Sequence, residues 1–216
     1  MSQAAQAAKA PAGSAAQQAQ GASQEQKEQV KTPVQENRKL AVRILAVAII
    51  ISLFLIAPLK LNAYHNRVER VFKNGVTTEY VSSVDAFINS SIASAEDLQA
   101  AAEATYGATE DTAKVAEAIK NLRASKDSNQ RVALYEEMYQ YAIRVFNAYK
   151  AQYEAAGQTL SKGDKVYKDK DNLDSDRIQI NNNGYWSQAE KYNKARGGFP
   201  ASLIGGLFGI DYLPER

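Results

Sequence analysis

The chain contains no cysteine, which excludes disulfides, thiolate nucleophiles and thiolate metal sites together. It has one histidine, His65, so neither a Ser–His–Asp set nor an HExxH-type zinc pair can be assembled away from that position. No segment alternates apolar and polar residues over a useful strand length, no internal repeat is visible, and no glycine-rich phosphate loop follows a strand. No strong excess of either charge is present. The formal net charge is +2, and the six basic residues through Leu59 (Lys9, Lys27, Lys31, Arg38, Lys39, Arg43) face three glutamates, Glu25, Glu28 and Glu36. The remainder is therefore close to neutral and lacks the electrostatic footprint of a nucleic-acid binder.

What stands out against these absences is Ile44 to Leu59, ILAVAIIISLFLIAPL, the only sustained apolar run. At about 1.5 Å per helical residue it falls slightly short of a hydrocarbon core of about 30 Å. Extension through Leu40 and Tyr64 supplies the length and leaves Arg43 and Lys60 to snorkel toward the interfaces. The sequence predicts a transmembrane helix over 39–62. Its position some forty residues in, with Leu61-Asn62-Ala63 a poor cleavage match, predicts retention as a signal anchor. Arg38, Lys39 and Arg43 lie before the run and Lys60 nearly alone after it, but Arg67, Arg70 and Lys73 even the count over a wider window; only the residues nearest the run lean toward a cytoplasmic tail and an extracytoplasmic domain.

Residues 1–38 are rich in alanine and glutamine and almost free of large apolar side chains, so they predict a disordered tail. From Leu61 to Tyr106 apolar residues recur in steps of three and four, predicting one amphipathic helix continuous with the span. A bend is expected at Pro58, a weak point at Asn74-Gly75, and a further break at Ser94, which opens a Ser-x-x-Asp capping pattern. Gly107 closes that segment, and Thr109 caps a helix carrying Val115, Ala118, Ile119 and Leu122. Ser125–Asn129 is a turn. The helix expected from about Gln130 to Ala156 has apolar residues in adjacent pairs, such as Leu134/Tyr135 and Val145/Phe146, the signature of a helix touching two neighbours. A polar, turn-rich stretch over 157–172 precedes a last helix, with Gly184 as its weak point and Gly197-Gly198 as its end.

Chemistry-bearing clusters are few. His65 lies beside the membrane with no second ligand nearby and reads as a solvated interfacial histidine. Asp169, Asp171, Asp174 and Asp176 resemble a calcium loop, but the fifth position is Leu173, the sixth Asp174 and the twelfth Ile180. They read as a solvated loop with Asp174 or Asp176 capping the next helix. The acidic pairs Glu110-Asp111 and Glu136-Glu137 are sequence neighbours, which diverge on a helix, so no acid–base pair is assembled. Phe199 to Leu213, FPASLIGGLFGIDYL, is different: it joins large apolar residues to glycines around one charge, Asp211. It predicts a short helix closing one end of the domain, with Leu203, Ile204, Leu207 and Phe208 forming a membrane-proximal interaction surface.

This ending resembles the LemA family of bacterial membrane proteins. The pattern is Tyr192-Asn193, then Phe199-Pro200, the small and apolar run Ala201 to Gly206, and Leu207-Phe208-Gly209-Ile210. Tyr64-His65-Asn66 after the span is similar to the family's tyrosine and asparagine there. The first helix departs from the family, with Asp85-Ala86-Phe87-Ile88-Asn89-Ser90-Ser91 where relatives carry a basic stretch and a proline. The resemblance implies a membrane-tethered helical bundle with no established enzymatic activity.

The reading is an all-α protein: an N-terminal transmembrane helix, then an elongated antiparallel bundle of about four helices over 63–216. The expected work is that of a membrane-anchored scaffold or accessory protein, without cofactor, metal or catalytic residues. Its expected partners are the lipid bilayer of the bacterial inner membrane, membrane or envelope proteins and, as a further candidate, a second copy of the chain. The alternative is a membrane-tethered sensor binding a small ligand between helices, near the tyrosine-rich face from Tyr135 to Tyr153.

Overall fold

The computed structural model describes residues 38–75 and 82–216, whose regular elements are all helices, with no strand among them. The tail expected over 1–38, except Arg38, and the helical positions Val76, Tyr80 and Val81 lie outside the described residues. The chain divides into two units, Met1–Ser52 and Leu53–Arg216. In the first, helix α1 (Arg38–Ile51) exposes every side chain, as an apolar helix does when no protein covers it. Helical residues run without a gap from Arg38 to Asn74, long and apolar enough to cross a membrane.

A π-helical turn, Ser52–Ile56, stands where a bend at Pro58 was expected. Proline has no N–H and its ring crowds the carbonyl four residues back, here that of Phe54, so a widened turn at that carbonyl relieves the clash. Helix α2 (Ala57–Asn74) then buries Pro58, Leu61, Val68 and Phe72 on one face. It stops at Gly75, whose φ of 70° is open to glycine and whose N–H donates to the Val71 carbonyl at 2.9 Å. The single helix expected from Leu61 to Tyr106 is therefore two.

Helix α3 (Val84–Tyr106) begins at Ser83, whose hydroxyl accepts from the Ala86 N–H at 2.9 Å. It does not break at Ser94. That residue is buried along with Ser91, Ala95 and Ala102, so its small side chain serves close packing rather than capping. Helix α4 (Glu110–Ala124) carries the expected cap at Thr109, made reciprocal by Thr112: each side chain accepts from the other's backbone N–H, at 3.2 and 2.9 Å. Val115, Ala118, Ile119 and Leu122 are all buried.

Helix α5 (Ser128–Ala155) starts two residues before the expected Gln130, with Asp127 accepting from the Gln130 N–H at 2.8 Å. The adjacent apolar pairs divide as a wide packing face should. Tyr135, Met138 and Ala142 are buried while Leu134, Tyr139 and Tyr141 are half-buried. Helix α6 (Lys165–Asn181) corrects the turn expected through Asn172. Its first half hides its pattern behind lysines and aspartates, yet Val166, Asp169 and Leu173 face inward. Ion pairs at i,i+4, Lys165–Asp169 at 2.9 Å and Lys170–Asp174 at 2.5 Å, favour the helical turn. Asp174 and Asp176 are mid-helix and cap nothing: Asp174 accepts from the Tyr139 hydroxyl at 2.8 Å and Asp176 from Ser91 at 3.2 Å.

The last helix is also divided. Helix α7 (Tyr185–Gly197) is separated from α6 at Asn182–Gly184, next to the expected weak point. Buried Asn183 donates to the Ser82 carbonyl and accepts from the Tyr185 N–H, both at 3.0 Å, fixing that corner. Helix α8 (Ala201–Phe208) follows a cis Phe199–Pro200 bond and ends at Gly209, whose φ is 61°.

Helix α3 packs against α2, α4, α5 and α6, while α2 takes α7 and α8 on its own flank. Arg131, 7% exposed, ties the α3–α4–α5 corner. Its guanidinium meets Asp85 at 2.6 Å and donates to the carbonyls of Leu122 and Ser125 and to Asn89 Oδ1. Phe72 and Tyr185, both fully buried, meet edge to face at 5.2 Å and join α2 to α7.

Candidate functional site

The residues that carry the family-like ending hold the chain's own C-terminus. Helix α7 brings Tyr192, Asn193 and Arg196 to one side, at spacings of one and three residues. The Tyr192 hydroxyl donates to the Asp211 carbonyl at 3.0 Å. Asn193 clamps Leu213 from both directions: its amide donates to the Leu213 carbonyl at 2.7 Å and its oxygen accepts from the Leu213 N–H at 2.9 Å. Asn129 of α5 holds the Tyr212 carbonyl at 3.0 Å. Extended backbone with no neighbouring strand needs such partners, because a buried unpaired carbonyl or N–H costs about 1–3 kcal/mol.

Arg196 does the same for α8. Its Nε donates to the Ile210 carbonyl at 2.8 Å, its Nη1 to the Ser202 carbonyl at 3.1 Å, and Tyr212 stacks over its guanidinium at 4.7 Å. A Cβ at Gly205 would run into that guanidinium, so the helix lies against Arg196 only because residue 205 has no side chain. Burial pushes the Tyr192 phenol up to about 12, so it stays a neutral donor.

With its inner face fixed, α8 presents an apolar outer one. Leu203 is 59% exposed, Leu207 64% and Phe208 47%, and Phe199 just before the helix is 89% exposed. Ile204 differs: it is 4% exposed and belongs to the core, about 100° around the helix from Leu203. Three of the four surface residues expected from sequence are thus outward. Leu203 and Leu207, one turn apart, share the outer stripe, whereas Phe208 turns toward α2. There it faces a groove of about 420 Å³, walled by Leu55, Pro58 and Leu59 on one side and by Phe208 and Ile210 on the other, with Asn62 at one end.

His65, expected to be solvated, is half-buried. Its ring packs edge-on against Tyr192 at 5.4 Å, and its Nδ1 lies 3.6 Å from Glu69. The aspartates at 169–176 lie along α6 rather than on a loop that can wrap an ion, and no group of three or more His, Asp or Glu suited to a metal occurs among the described residues. On the tyrosine-rich face Tyr135 is fully buried, and burial raises its phenol pKa. Tyr139 spends its hydroxyl on Asp174, and Tyr149 and Tyr153 stack on each other at 5.7 Å. The site therefore offers apolar contact area on a rigid support. Arg196, Gly205 and the groove wall are the residues sequence reasoning passed over; the Gly205-Gly206 pair inside an apolar run was their one visible signal. A scan against protein-family models finds no match for the chain, and neither a search of curated proteins nor one of solved structures returns one.

Proposed function

We propose that the chain is a LemA-like, single-pass protein of the bacterial inner membrane, anchored by the apolar helix that includes Ile44–Leu59. Its domain forms an elongated antiparallel bundle of about four helices on the extracytoplasmic side and works as a scaffold or accessory subunit for membrane or envelope proteins. The short turns at 107–109 and 125–127 support antiparallel neighbours, the commonest arrangement of consecutive helices joined so tightly. The exposed α1 supports the span, because so large an apolar surface on one helix calls for a non-aqueous cover.

The observation that carries the scaffold reading is the outer stripe of α8. Leu203 and Leu207 are exposed on a helix whose opposite face is locked by Arg196, so a partner meets a preorganised apolar patch and loses little entropy in docking.

The test is photo-crosslinking in cells with the full chain, comparing wild type with Leu203→Asp/Leu207→Asp. Partner adducts should vanish in the variant while its helical circular dichroism is retained. Undiminished adducts with the helical signal intact would remove α8 from the interface.

A further inference from the structure

We propose that the groove between the start of α2 and the end of α8 holds an acyl chain of a membrane phospholipid. The inference rests on the reading of Ile44–Leu59 as a membrane span. One wall, Phe54, Leu55, Pro58 and Leu59, belongs to that apolar run itself, so the groove opens onto the surface that lipid covers. The other wall, Phe208 at the end of α8 and Ile210 just after it, extends the apolar lining beyond the span.

Polarity changes along the groove as it does along a phospholipid. The lining is apolar from Phe54 to Leu59 and ends at the Asn62 carboxamide. An acyl chain along the apolar length therefore brings its polar end to the level of that amide donor. Tryptophan and tyrosine at interfaces, and snorkelling lysines, obey the same matching of polarity to depth.

Continuity with the apolar run selects this occupant: the wall from Phe54 to Leu59 of the groove of about 420 Å³ is part of the surface that acyl chains already cover. A lipid in the groove also leaves the outer stripe of Leu203 and Leu207 free for a protein.

The test uses the full chain in nanodiscs of phosphatidylethanolamine and phosphatidylglycerol doped with a phospholipid bearing a diazirine on its acyl chain. Adducts are expected on Phe208 and Ile210 as well as on Phe54–Leu59. Adducts confined to the span, with none on Phe208–Ile210, would overturn the proposal, as would a polypeptide crosslinked there in place of lipid. In parallel, native mass spectrometry after transfer to mild detergent should show a retained phospholipid. Filling the groove with Leu55→Trp/Leu59→Trp should cut that retention about tenfold at unchanged helicity, whereas Leu203→Asp leaves it unchanged. Equal retention in the filled variant refutes the groove. Recovery of the wild type in the soluble fraction removes the membrane reading and this inference together, while a membrane-bound chain without retained lipid removes the groove assignment alone.

Discussion

Gly205 lies flat against the guanidinium of Arg196, in a space that admits no β-carbon, while the next residue, Gly206, has nothing within 4 Å of where its own would be. Two adjacent glycines of one helix therefore answer to different constraints. Gly205→Ala must push aside a buried, fully engaged arginine and should destabilise by about 1–3 kcal/mol, the usual cost of overpacking. Gly206→Ala relieves the backbone entropy of a helical glycine and should stabilise by about 0.5–1 kcal/mol. Thermal melts of the two variants should move in opposite directions; a common direction would contradict the Arg196 contact.

Asn193 holds both backbone groups of Leu213, so Asn193→Leu should leave them unpaired and free the C-terminal segment. Hydrogen exchange at the Leu213 amide should speed up by an order of magnitude or more, with α5 amides unchanged, since stability is local rather than uniform.

Arg131→Met removes the cation from Asp85 and the donors to the Leu122 carbonyl in the last turn of α4 and to the Ser125 carbonyl just after it. The expected loss is about 3 kcal/mol, the low end for breaking a buried pair because Asp85 keeps some exposure to water. Arg131→Lys should recover little, as a single ammonium cannot reach four partners in one plane. Urea midpoints decide the matter.

Asp176 has a folded pKa raised above its ordinary value, chiefly by burial, with Ser90 and Ser91 opposing the shift. A raised carboxyl pKa means that its contribution is fully present below the unfolded pKa and is lost as pH rises through the folded one. Wild type should thus gain on Asp176→Asn as pH falls through the acidic range, and lose that advantage toward neutrality. A stability difference flat with pH would sink the assignment.

Much of this was legible in the sequence. The Thr109 cap, the Gly107 stop, the Val115–Leu122 stripe and the weak points at Gly75 and Gly184 all follow from local rules that the fold obeys. The misreadings share a cause. Lys165–Asn172 looked like a loop because its helix is held by charge pairs and only two apolar anchors, and composition conceals such a pattern. Ser94 looked like a cap because local spacing cannot show that a serine is buried against other helices. Ile204 was placed on the surface with its neighbours because the locking of α8 depends on Arg196, eight residues away and reaching across a turn.

The central claim is that the helix containing Ile44–Leu59 anchors the protein in a membrane, and alkaline carbonate extraction of cell membranes tests it most directly. The full chain should remain in the pellet and a chain lacking residues 44–59 should be released. Wild-type protein in the carbonate supernatant would contradict the account.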